Sequence, residues 1–200
     1  MKRQIIVIGG GGVFASRKKL VAYLKGKKVK SIDYFRKEGW KNSLQEKLGI
    51  KFDVISPEMP NRFDARYKEW KIWFEKLLPF VKRGAIFIGH SLGGMFLAKY
   101  LSENTMRKKP GAVVIVAAPY NGSTNNEVFK DFKLPRSLAR FSRQCKRVYF
   151  FQSKDDPLVP FEEVNKYRRE LPGAELKIFS KKQHFNQSTF PELVWLIKSI

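Results

Sequence analysis

An apolar run, Ala85-Ile-Phe-Ile, breaks into Gly89-His-Ser-Leu-Gly-Gly and continues through Met95, Phe96, Leu97, Ala98, Tyr100 and Leu101. No other feature of the chain limits its fold so tightly. The run reads as a strand buried on both faces, and the stretch after it as a helix packed on that strand's sheet. Between them, Gly-x-Ser-x-Gly is the sequence form of a nucleophile elbow. Such a turn is so sharp that Ser91 takes strained backbone angles and presents its hydroxyl at the start of the helix. Side chains at positions 89 and 93 would collide across the turn, which accounts for the two glycines.

Strand and helix patterns alternate along the rest of the chain. Residues 4–8, 51–55, 85–88, 112–117, 148–151 and 175–179 read as buried strands, several of them nearly unbroken apolar runs. Residues 40–48, 66–81, 92–103, 161–170 and 191–199 read as helices, with a further one near 17–24. Within 66–81, Trp70, Trp73, Phe74, Leu77 and Val81 recur at helical spacing and form a core stripe. This alternation predicts an α/β fold, a doubly wound and mostly parallel sheet of about six strands flanked by helices. At 43% hydrophobic and 14% aromatic, 200 residues bury one core. The expectation is one domain over 1–200, with 118–147 as a short basic cap.

A serine nucleophile needs a base, and the chain has two histidines. His90 neighbours Ser91 in the turn, so its ring points away from the hydroxyl. His184, just after the strand at 175–179, is the remaining candidate. A carboxylate should fix its tautomer, and the loop after the strand at 148–151 offers both Asp155 and Asp156. The order Ser, Asp, His is that of α/β-hydrolases, and all three follow predicted strand ends, where open parallel sheets place their sites. The four glycines 9–12 have two readings. One is an oxyanion hole, with backbone N–H groups from Gly10 or Gly11 joined by that of Leu92. The other is dinucleotide binding, since Gly10, Gly12 and Ala15 fit Gly-x-Gly-x-x-Ala and Asp33 follows about 20 residues on. Polyglycine meets such patterns by accident, Arg17, Lys18 and Lys19 crowd the helix start, and that reading leaves the triad without a purpose. No cofactor and no metal are expected, because no Cys/His cluster has ligand spacing.

Four segments carry a resemblance: Ile-Ile-Val-Ile-Gly-Gly-Gly-Gly at the start, Gly-His-Ser-Leu-Gly-Gly, Ser-Lys-Asp-Asp-Pro-Leu-Val-Pro, and His-Phe-Asn-Gln-Ser-Thr-Phe-Pro-Glu-Leu. Val-Ile-Ser-Pro-Glu-Met-Pro and Lys-Glu-Trp, around Pro57 and Trp70, extend it. In these the chain resembles the small α/β-hydrolases related to retinoblastoma-binding protein 9 and the YdeN-type serine hydrolases. The resemblance implies Ser91 as nucleophile, Asp156 as the carboxylate and His184 as the base. It also implies a short sheet without the first antiparallel hairpin of larger hydrolases. Two departures stand out: a longer basic insertion over 13–35, and Gln183 where the family has glycine, which would bring a polar side chain near the base.

The activity expected is a serine hydrolase, a carboxylesterase acting on small acyl esters. A thioesterase or peptidase would use the same triad, and a basic binding protein on a hydrolase fold is the non-catalytic alternative. A cap of about 30 residues is too short for a large lid, so an open site for small acyl groups is expected. Forty Lys and Arg against 18 Asp and Glu give a net charge of +22. The basic residues are spread along the chain without a nucleic-acid motif, so a solvated basic surface is expected rather than a nucleic-acid partner. Pro135 is expected to start a helix with Arg136, Arg140, Arg143 and Arg147 on one face and Leu138, Phe141 and Cys145 opposite. That basic face would draw anionic substrates or a membrane surface. The single cysteine forms no internal disulfide. The N-terminal apolar run is short for a signal peptide and breaks at Gly9, so a cytoplasmic setting is expected.

Overall fold

A computed structural model describes residues 2–32, 39–120, 123–124, 127–129 and 131–200. Six strands, β1 (Arg3–Ile8), β2 (Phe52–Ile55), β3 (Ile86–His90), β4 (Ala112–Val116), β7 (Val148–Ser153) and β8 (Glu175–Phe179), form one sheet. Their order is β2-β1-β3-β4-β7-β8, and every pairing is parallel. Two further short strands, β5 (Ser123–Thr124) and β6 (Glu127–Val128), pair antiparallel after β4. Parallel strands need crossovers, and helices provide them. On one face lie α3 (Tyr67–Leu77), α4 (Leu92–Glu103), α5 (Ala139–Gln144) and α6 (Glu162–Glu170), with Trp70, Phe96, Phe141 and Tyr167 in one core cluster. The other face carries α2 (Trp40–Leu48) and α7 (Pro191–Ser199), whose Trp40, Leu44, Leu193 and Ile197 pack on Val7, Ile88 and Val114. A further helix, α1 (Arg17–Gly26), follows the glycine loop and is largely exposed.

The central strands are apolar throughout because neither face meets water; β3 and β4 are buried at every position. The same pattern is expected for 51–55 and 175–179, and there the structure differs. These are the two edge strands, β2 half-buried along its length and β8 with Ile178 50% exposed. An edge strand has one neighbour and only partial cover, which fits the charged residues Asp53, Glu175 and Lys177 among the apolar ones of β2 and β8.

Two helices also differ from expectation. The helix read over 66–81 is α-helical only to Leu77, then tightens to a 3-10 turn over Leu78–Phe80, because Pro79 has no N–H to continue the ladder. In it Trp70 and Phe74 are buried, but Trp73 is 51% exposed and leaves the core stripe, since one helix face cannot hold positions 70, 73, 74 and 77 equally. The basic helix expected from Pro135 is six residues long. Arg136 precedes it and Arg147 follows it, so the four arginines do not share a helical face. Arg147 already belongs to the sheet approach, where its carbonyl accepts from Val113 N–H at 2.9 Å. Leu138, Phe141 and Cys145 are buried as expected, and burial raises the Cys145 thiol to about 11.

Candidate active site

Ser91 sits between β3 and α4 with φ 56° and ψ −125°, a left-handed conformation costing on the order of 1–3 kcal/mol in a non-glycine residue. Its N–H is held by Val116 carbonyl at 2.8 Å, and its own carbonyl accepts the N–H groups of Gly94 and Met95. The flanking glycines are there for lack of room. A Cβ at Gly89 would lie 2.5 Å from Gly94 Cα, and one at Gly93 would lie 2.2 Å from the Ile8 carbonyl oxygen and 2.5 Å from that of Gly9. Both obstacles at Gly93 are backbone, so α4 would have to lift off β1. Gly93→Ala is therefore expected to cost about 3 kcal/mol or more, read as a lowered urea midpoint, with loss of the turn geometry at Ser91.

The glycine loop closes over the same turn. A Cβ at Gly10 would come within 3.2 Å of Ser91 Cβ and 3.7 Å of its Oγ, whereas Gly11 faces Arg62 carbonyl and the Trp70 ring. Gly12 N–H donates to Arg62 carbonyl and Ala65 N–H to Gly12 carbonyl, both at 2.8 Å, while Trp70 Nε1 donates to Pro60 carbonyl at 2.8 Å. The loop is thus bound to the 57–66 segment, not opened towards α1, which begins only at Arg17. A phosphate-binding turn needs its helix to start at the glycines, so this geometry does not serve the dinucleotide reading. Asp33 lies outside the described residues. As the first amide of α4, Leu92 N–H has no intrahelical acceptor.

His184 Nδ1 donates to Asp156, at 2.9 Å to Oδ2 and 3.1 Å to Oδ1. Both side chains are buried. Asp156 Oδ1 also accepts the N–H groups of Leu158 at 2.8 Å and Val159 at 3.0 Å, which fixes the carboxylate. With the ring proton held on Nδ1 by that accepting carboxylate, Nε2 is left as the acceptor nitrogen. Asp155 does something else: its Oδ1 accepts from Ser153 Oγ and from Gln183 N–H at 3.0 Å. Ser153 Oγ in turn accepts from Lys182 N–H at 3.1 Å. The Ser153 hydroxyl holds the Asp155 carboxyl below its ordinary range. Ser153 and Asp155 thus clamp the backbone leading into His184. Gln183 itself has φ 46°, the conformation for which glycine is the easy residue, and its side chain is exposed.

His90 has a role the sequence did not reveal. Its ring lies edge-on to Trp40 and 5.0 Å from the His184 ring, and Nε2 donates to the His184 carbonyl at 2.8 Å. Burial, then the charges of Lys41 and His184, push it well below its ordinary value, so it is neutral, with Nδ1 unpartnered among the described residues. The residue before Ser91 thereby holds the backbone of the candidate base. Ser91 Oγ and His184 Nε2 are not hydrogen-bonded to each other in this geometry.

The sheet order, the elbow and the crossing helices are those of an α/β-hydrolase. The chain belongs to the serine hydrolase family, whose match spans residues 35–192. It is 27% identical over 165 residues to the serine hydrolase RBBP9 of Rattus norvegicus, covering 81% of this chain and 84% of that one. The product of the ydeN gene of B. subtilis superposes with a TM-score of 0.71 at 17% identity, over 99% of this chain and 98% of the other. A lipase-esterase related protein from Clostridium acetobutylicum gives 0.57 at 14% identity, over 98% and 93%. At these identities the two structures attest the fold alone. Among the described residues no helix is long and apolar enough to cross a membrane.

Proposed function

We propose that this serine hydrolase is a carboxylesterase for small acyl esters, with Ser91 as nucleophile, His184 as base and Asp156 as the residue that orients it. The observation carrying this reading is the buried Asp156–His184 pair, which leaves Nε2 free to accept a proton. His184 takes the Ser91 proton as Oγ attacks the carbonyl. The oxyanion is met by the N–H groups of Leu92 and Gly10, the glycine that borders Ser91, rather than by Gly11. His184 then protonates the leaving alcohol, and later removes a proton from the water that releases the acid. The Ser91–His184 hydrogen bond forms as substrate is seated, as catalytic hydrogen bonds commonly do.

The test is fluorophosphonate labelling with turnover of p-nitrophenyl acetate and butyrate, beside an acyl thioester and an amino-acid anilide. Labelling and ester turnover that disappear in Ser91→Ala are expected. Faster cleavage of the thioester or anilide would reassign the leaving group, and a folded protein that neither labels nor turns over would overturn the reading.

A further inference from the structure

A cleft of about 750 Å³ opens beside the glycine loop, lined by Gly9 and Gly10, by Lys41 and Arg62, and by apolar groups that include Leu24 and Phe63. Gly10 also abuts Ser91, so one residue of the cleft wall borders the candidate nucleophile. We infer that Lys41 and Arg62 form a subsite for an anionic group, a carboxylate or phosphate, carried by the substrate whose ester bond lies at Ser91. This rests on the esterase reading and narrows it to anionic esters.

Lys41 is the most unusual lysine among the described residues. It stands in the first turn of α2, where a helix favours anions and where α2 has no acidic residue. Its ammonium lies 5.0 Å from the centre of the Trp40 ring, and no carboxylate among the described residues pairs with it. Burial and the neighbouring Arg62 charge lower it to about 8. Arg62 is held there by its own backbone, since its carbonyl takes the Gly12 N–H. Glu58 also lines the cleft and is itself engaged with a partner. Two cations that share a cleft, neither of them ion-paired to a described carboxylate, repel each other, and the cost falls when an anion arrives. The apolar groups opposite suit a short carbon chain joining that anion to the ester. In a protein of net charge +22 most cations are dispersed and solvated. Here Lys41 is half-buried, and the cleft it shares with the exposed Arg62 reaches Gly10, the glycine that borders the candidate nucleophile.

Two measurements test it. The first compares kcat/KM for mono(4-nitrophenyl) adipate with 4-nitrophenyl hexanoate, and for 3-butyryloxybenzoate with phenyl butyrate, so that the charge sits on either side of the ester. A preference of about tenfold or more for one anionic member is expected, falling by about tenfold in Lys41→Gln and in Arg62→Gln. The second is calorimetric binding of phenyl phosphate to Ser91→Ala protein, with and without those substitutions, which needs no turnover. Saturable binding weakened by either substitution is expected. No saturable binding, binding indifferent to both changes, or equal rates on charged and neutral esters would each overturn the subsite. Neutral esters turned over without charge preference would leave the esterase reading standing. Absence of labelling and of all turnover would remove the esterase, while anion binding would still report on the subsite.

Discussion

Ser91→Ala is expected to lower kcat for p-nitrophenyl butyrate by about 10⁴- to 10⁶-fold, the range seen when a triad nucleophile is deleted. The fold should remain. Ser91 Oγ makes no hydrogen bond to the described residues, so truncation orphans no partner, and alanine keeps the same Cβ in the same strained backbone. Ser91→Gly separates the two consequences of that strain. Glycine accepts φ 56° at no steric cost. Against the 1–3 kcal/mol of relief stands the greater chain entropy of unfolded glycine, leaving a net gain of about 1 kcal/mol. For a chain of this size that is a rise of about 2–4 °C in the thermal midpoint, with activity lost. A glycine variant no more stable than Ser91→Ala would mean that the turn stores no strain.

How much of this is legible in the sequence depends on the range of each interaction. The sheet is legible because β3 and β4 are buried on both faces, and burial on both faces writes an unbroken apolar run. The elbow is legible because its motif is compact, although only Gly89 meets its obstacle within the turn, at Gly93 and Gly94, while Gly93 is required by the distant backbone of Ile8 and Gly9. The edges β2 and β8 are not, since an apolar run does not record how many neighbours a strand has. Trp73 misleads for a similar reason, lying between two faces of α3. The contacts that hold His184 in place are long-range. His90 reaches its carbonyl across 94 positions, and Asp155 reaches the Gln183 amide across 28, and neither spacing has a motif. Lys41 is hidden differently, as one of 40 cations whose pattern gives no hint that it is half-buried. The basic face expected on a cap helix fails because Arg147 is needed by the sheet.

Asp155 and Asp156 are adjacent, and substitution by asparagine should separate them by orders of magnitude. In Asp156→Asn the side-chain oxygen keeps the amides of Leu158 and Val159, so its NH₂ turns to His184 Nδ1. That nitrogen must then accept, the ring proton moves to Nε2, and the base cannot take a proton from Ser91. A fall of about 10⁴ in kcat with little change in KM is expected, as in other triads given the wrong tautomer. Asp155→Asn keeps an acceptor oxygen for Ser153 Oγ and Gln183 N–H and changes only its charge, so a loss of about tenfold or less is expected. Its signature is in stability. Because the Asp155 carboxyl is held below its ordinary value, it stabilises the fold at pH above the ordinary aspartate range. That contribution is lost as pH falls through the lowered folded-state value. The gap between wild type and Asp155→Asn should therefore be present at neutral pH and close on acidification below about pH 4. If Asp155→Asn instead cost the 10⁴ and Asp156→Asn were mild, the orienting carboxylate would be Asp155 and the pairing of His184 with Asp156 would have no catalytic meaning.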